Sequence, residues 1–220
     1  MRPNTLRASL LASLVTRRLP ASHPRTILLT FDDGPMPGVT EGVLERLQAH
    51  GARALFCVLG PRVAQAPDLA RAIVAGGHAL GNHSHRHDMG AAPAPWGYLR
   101  DMGDCSAAIA AATGSPPRFF RAPGGRLHPA SLLGPRRHGM QHVLWSLDSE
   151  DWRCTDPAAA ADVAARVLDS VAGRDIVLLH DYSTVVHALL DHLLPGLVAR
   201  GFDLAGGLDA LDGKGGGADA

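Results

Sequence analysis

Thr26-Ile27-Leu28-Leu29-Thr30-Phe31-Asp32-Asp33-Gly34-Pro35 is an apolar run that ends on two adjacent carboxylates and a Gly-Pro step. Its first six residues read as a buried strand, which the Gly-Pro turn ends. Two neighbouring carboxylates at the mouth of a buried strand lose hydration and repel each other. They are tolerated where one binds a cation or takes up a proton. Asp, Gly and Pro are also ordinary turn residues, so the doublet alone reads equally well as a solvated turn. The polar clusters downstream decide between the two.

Beyond this strand the chain alternates. Periodicity predicts helices over 40–50, 68–75, 96–113, 157–171 and 184–200. Between them lie strand-like runs at 54–59, 78–80, 118–120, 141–147 and 175–180, with a last short one at 201–204. Such alternation implies parallel strands joined by helical crossovers. Three of the polar clusters fall just after predicted strands, the end at which α/β barrels place their chemistry. A doubly wound open sheet fits the same alternation, and periodicity does not separate the two.

Composition narrows the class. The 220 residues carry 21 basic and 21 acidic side chains, a formal net charge of zero, which points to neither a nucleic-acid nor a membrane-surface partner. Hydrophobic residues make up 46%, enough for one globular domain. Cys57, Cys105 and Cys154 are odd in number and far apart, so they suggest free thiols rather than a disulfide framework or a structural zinc site. Residues 1–24 read as an N-terminal extension, expected to be helical because Leu6, Leu10 and Leu14 recur at helical spacing. Their apolar core is too short for a convincing signal peptide, so the cytoplasm is favoured, with a periplasmic or secreted protein as the alternative. No run is long enough to span a bilayer. Residues 25–205 form the main domain, and 206–220 a Gly-rich tail expected to be disordered.

Four further clusters could carry chemistry. In His83-Ser84-His85-Arg86-His87 the outer histidines are four apart, so one helical turn would project both from a single face. With the acidic doublet they suggest a two-histidine, one-carboxylate metal site with positions left for water and substrate. Arg121-Ala122-Pro123-Gly124-Gly125 offers a carboxylate partner and backbone N–H groups open to close approach. Asp148-Ser149-Glu150-Asp151-Trp152 sets carboxylates beside an indole. Leu178-Leu179-His180-Asp181 ends an aliphatic strand on a histidine, placed to act as a general acid. Each of these three alone reads as well as a surface turn, a packing residue or a structural histidine.

Together, TFDDGP, H-S-x-x-H, R-x-P-G-G, D-S-x-D-W and L-x-H resemble the five motifs of the polysaccharide deacetylase (NodB-homology) family, carbohydrate esterase family four, in spelling and in order. The resemblance runs from about Thr26 to Leu204 and implies a distorted, TIM-like (β/α) barrel of about seven parallel strands. It implies hydrolysis of acetyl groups from a carbohydrate, most often the N-acetyl of N-acetylglucosamine units. By the same resemblance Asp32 would be the base, while Asp33, His83 and His87 would hold one divalent metal ion, zinc or else cobalt or nickel. Arg121 would orient Asp32, Asp151 would tune the acid His180, and the Gly124 N–H would help bind the oxyanion. Trp152 and Leu178 would line the pocket for the acetyl methyl. Many members carry an aromatic residue where Gly124 stands, so one wall of the sugar groove is absent here. A metal-dependent amidase on a small non-sugar molecule and a non-catalytic sugar-binding relative are the alternatives.

Overall fold

Eight parallel strands form the sheet of the computed structural model, which describes residues 14–88 and 95–213. In chain order they are β1 (Val15–Thr16), β2 (Leu28–Asp32), β3 (Ala54–Val58), β4 (Ala79–Asn82), β5 (Phe119–Phe120), β6 (Gln141–Val143), β7 (Leu147–Asp148) and β8 (Ile176–His180). Their spatial order is β1-β6-β5-β4-β3-β2-β8-β7. The helices are α1 (Thr40–Ala49), α2 (Gly60–Gln65), α3 (Pro67–Ala75), α4 (Pro95–Thr113), α5 (Pro129–Arg137), α6 (Ala160–Ser170), α7 (Val185–Ala199) and α8 (Gly207–Leu211). The sheet curves into a distorted barrel whose end strands, β1 and β7, share no ladder among the described residues. Asp175 joins the two sides of that seam. Its carboxylate accepts from Arg18 Nε at 3.1 Å and from Ser146 Oγ at 2.7 Å.

Alternation along the strands divides the core in two. Ile27, Leu29 and Phe31 face the helices and pack with Val43, Leu47, Val163, Leu189 and Leu193. Leu28 faces the barrel interior with Leu55, Cys57, Phe119, Val143 and Ile176. Thr30 and Asp32 follow Leu28 at steps of two, so the same inward row climbs from an apolar floor to an ionised rim. The helices bury stripes at helical spacing: Tyr98, Met102, Cys105 and Ile109 on α4, and Val163, Ala164 and Val167 on α6.

Several expectations change. The helix expected over 1–24 falls largely on residues 1–13, outside those described; of the remainder, Val15 and Thr16 form the edge strand β1, which pairs with β6. Leu19, in the same segment, is wholly buried in the barrel interior. The Gly-rich tail does not begin at 206, because Gly207–Leu211 is helical and inserts Leu208 and Leu211 among Leu28, Leu55 and Ile176. Residues 214–220 lie outside the described residues. The run 141–147 divides into β6 and β7, and 201–204 is reduced to a single bridge between Thr26 and Asp203. The helix expected at 157–171 opens with a 3₁₀ turn, Pro157–Ala159, which Asp156 caps by accepting from Ala158 N–H at 2.9 Å. No described helix is long and apolar enough to cross a membrane.

Candidate active site

The five polar clusters meet at the C-terminal rim of the barrel, because each follows or ends a strand. Asp32 closes β2 and pairs in register with His180, the last residue of β8. His83 and His87 follow β4, Arg121 follows β5, and Asp151 opens a 3₁₀ turn beyond β7.

Asp32 is 3% exposed, and its Oδ1 accepts from Arg121 Nη1 at 2.7 Å. Arg121 is the largest fully buried side chain. Its Nη1 also donates to Thr30 Oγ1 at 2.8 Å and its Nε to the Val143 carbonyl at 3.2 Å, while Nη2 has no partner among the described residues. Burial pushes the Asp32 carboxyl up, but Arg121, His83 and His180 outweigh it and hold the group below its ordinary value. Asp32 is therefore ionised at neutral pH.

Asp33 points elsewhere. Its backbone adopts φ 76°, and Arg62 Nη1 donates to its carbonyl at 2.7 Å. Its Oδ1 lies 3.4 Å from His87 Nε2 and 3.7 Å from His83 Nε2, and this buried oxygen has no hydrogen-bond partner among the described residues. The fit to a cation follows from these distances. Two ligand atoms each ~2.1 Å from one ion at a tetrahedral angle are about 3.4 Å apart. His83 Nδ1–H donates to the Arg121 carbonyl at 2.9 Å, which leaves its Nε2 lone pair facing the cluster. Burial lowers the His83 pKa despite Asp32 and Asp33, so its imidazole is neutral. Among the described residues Asp33, His83 and His87 are the one such group whose ligand atoms lie within 4.8 Å of one another.

The two histidines do not share a helical turn. Ser84 and His87 have φ of 74° and 53°, so 83–87 is an irregular loop whose imidazole centroids lie 5.0 Å apart. Asn82 Oδ1 accepts from Ser84 N–H at 2.8 Å, and Ser84 Oγ accepts from His87 N–H at 3.0 Å. The H-x-x-x-H spacing picks out the two histidines that face Asp33, but the loop's internal hydrogen bonds, not a helical turn, bring them together.

Asp151 grips His180 twice: Oδ1 accepts from Nδ1–H and Oδ2 from the backbone N–H, both at 2.8 Å. Burial alone would lower the histidine's pKa. The Asp151 bond and charge, helped by Asp32 and Asp33, push it up to about 9. One residue on, the buried Asp181 accepts from Thr40 Oγ1 at 2.6 Å. A Cβ at Gly34 would lie 2.2 Å from the Asp181 carboxylate, which explains the glycine after the aspartate pair.

Gly124 is exposed with φ 57°, beside Gly125, on whose Cα side the Trp145 ring lies. Trp152, 49% exposed, lines a pocket of about 160 Å³ with Asp151, His180, Tyr182 and Leu189. Leu178 is not among that pocket's lining; it pairs with Thr30 inside the barrel, two residues below His180. Thr30, Arg62, Asn82 and Ser84, which hold these groups, were not singled out from sequence. Only Thr30 and Ser84 carried a signal, their places inside TFDDGP and H-S-x-x-H.

Residues 20–143 match the model of the polysaccharide deacetylase family. The chain is 33% identical over 183 residues to a peptidoglycan-N-acetylglucosamine deacetylase of Listeria monocytogenes, covering 83% of this chain but 38% of that protein. It thus spans well under half the length of that relative. A chitooligosaccharide deacetylase of Bradyrhizobium is 34% identical over 199 residues, covering 83% of this chain and 89% of the relative. Among solved structures, a family 4 carbohydrate esterase from Streptomyces lividans in complex with acetate superposes with a TM-score of 0.74 at 29% identity, covering 82% of this chain and 91% of that one.

Proposed function

The chain belongs to the polysaccharide deacetylase family, and from that premise we propose that it hydrolyses the N-acetyl group of N-acetylglucosamine units in an oligo- or polysaccharide. One observation carries the reading. Asp32 and His180, paired in register on adjacent strands, are pushed into opposite protonation states beside a three-ligand cluster with an unpartnered carboxylate oxygen. A base that is ionised and an acid that is protonated at neutral pH are what amide hydrolysis requires.

Asp33, His83 and His87 would hold a divalent ion, for which zinc suits the nitrogen-rich set. When bound, such an ion supplies Lewis acidity to the acetyl carbonyl and the attacking water. Asp32, fixed by Arg121, takes the proton from that water as its oxygen bonds to the acetyl carbon. The Gly124 N–H would donate to the developing oxyanion, and one such donor contributes on the order of 3 kcal/mol. As the C–N bond breaks, His180 gives its proton to the departing sugar amine, and acetate is the second product. Trp152 offers an exposed indole for an apolar sugar face or the acetyl methyl.

N-acetylglucosamine is favoured as the substrate unit because two relatives carry it, or its oligomers, in their names. The test is acetate release, with added zinc, from chito-oligosaccharides of increasing length, acetylated xylan and simple acetamides. Release confined to the chito-oligosaccharides is expected. Release from simple acetamides alone would replace the sugar reading, and release from none would leave a non-catalytic relative.

A further inference from the structure

We infer that Asp101, on α4, is a positioning residue for the candidate metal site: its carboxylate sets the 83–87 loop so that His83 and His87 face Asp33. The inference rests on the reading of Asp33, His83 and His87 as metal ligands. Asp101 lies well outside the five motifs, yet it is 8% exposed, and its carboxylate is directed at the loop.

The contacts fall on two of the three residues between His83 and His87. Asp101 Oδ2 accepts from His85 N–H at 2.9 Å, and Oδ1 accepts from Arg86 N–H at 3.1 Å. Arg86 Nε adds a third bond to Oδ1 at 3.1 Å. Two consecutive backbone N–H groups converging on one anion form a nest, which arises where left- and right-handed residues follow one another. Ser84, with its φ of 74°, supplies the left-handed residue. A serine resists this conformation unless neighbouring bonds impose it. The carboxylate on one side and the Asn82 side chain on the other are those bonds.

Helix α4 holds the loop at a second point. Asn82 Nδ2 donates to the Met102 carbonyl at 2.7 Å and to Ser106 Oγ at 2.8 Å. Asp101, Met102 and Ser106 therefore present one stretch of α4 to the whole ligand loop, while Met102 and Cys105 anchor that stretch in the core. Without the anion the two N–H groups would have to turn toward other acceptors. The peptides that carry His83 and His87 would turn with them.

Outer partners of ligating residues typically change metal affinity by ~10–100-fold. Asp101→Ala and the isosteric Asp101→Asn are compared with Arg86→Ala and wild type, and the zinc dissociation constant is measured by chelator competition. Both Asp101 variants are expected to bind zinc ~10–100-fold more weakly, with the rate recovering at saturating zinc and KM for the sugar unchanged. Arg86→Ala, which keeps both backbone bonds, is expected to bind zinc as wild type does. Native affinity in a folded Asp101→Asn, or a rate that saturating zinc does not recover, would overturn the inference. If Asp101→Ala does not fold, Asp101→Asn, judged folded by circular dichroism, decides alone. Failure of wild type to bind zinc would instead sink the site reading beneath it.

Discussion

At the scale of single residues, what touches each titratable group sets its task. His180 has the clearest environment. Burial would strip its proton, yet Asp151 accepts from both its ring and its backbone N–H, and its pKa is pushed up to about 9. Because the folded value is raised, the pair's contribution to stability is fully present below the unfolded value of ~6.5 and is lost as pH rises through about 9. Catalysis that needs the proton should fall over the same alkaline range. A cation at Asp33 would cancel part of the Asp33 contribution, but the two Asp151 bonds remain. In Asp151→Asn, burial is less opposed, so the alkaline limb of kcat should move to lower pH. An unmoved limb in the pH–rate profile would remove Asp151 from this role. Asp32 shows the opposite balance, where the buried Arg121 keeps a buried carboxylate ionised.

Elements were legible where their signal is local. The strand ending in Asp32 and the helix α4 lie close to where the apolar pattern sets them, since each presents a long run or a full helical stripe. Short elements carry less. Helix α2 has only six residues and begins beside Pro61, while α5 begins at Pro129 and holds Gly134 and Pro135 within it, so neither presents the apolar stripe that marks α3. Strand β1 has two residues and exists only because β6 lies beside it. Helix α8 was hidden by the glycines around it, though Leu208 and Leu211 close the N-terminal end of the barrel. Leu208→Ala should cost about 2–4 kcal/mol, the usual range for emptying a buried leucine site. Urea denaturation would measure that loss, and kcat should not change, because the plug lies at the opposite end from the rim. A loss under about 0.5 kcal/mol would show that α8 does not support the barrel.

At the scale of the whole molecule, the parallel barrel turns five short stretches, spread from Asp32 to His180, into one rim. The motifs were legible because each is contiguous and sits at the end of a strand. The supports were not, because Asp101, Arg62 and Asn82 meet their partners only after folding, across other elements. In the proposed mechanism Asp32 takes the proton and Asp33, with His83 and His87, would hold the metal, although the two aspartates are neighbours in sequence. The most direct measurement is acetate release from a chito-oligosaccharide by Asp32→Asn, with zinc per chain counted in the same sample after dialysis. The expectation is one zinc per chain, as in wild type, and a rate lowered by ~10²–10⁴-fold, the range for loss of a general base. An undiminished rate with zinc in place, or loss of the zinc itself, would contradict it.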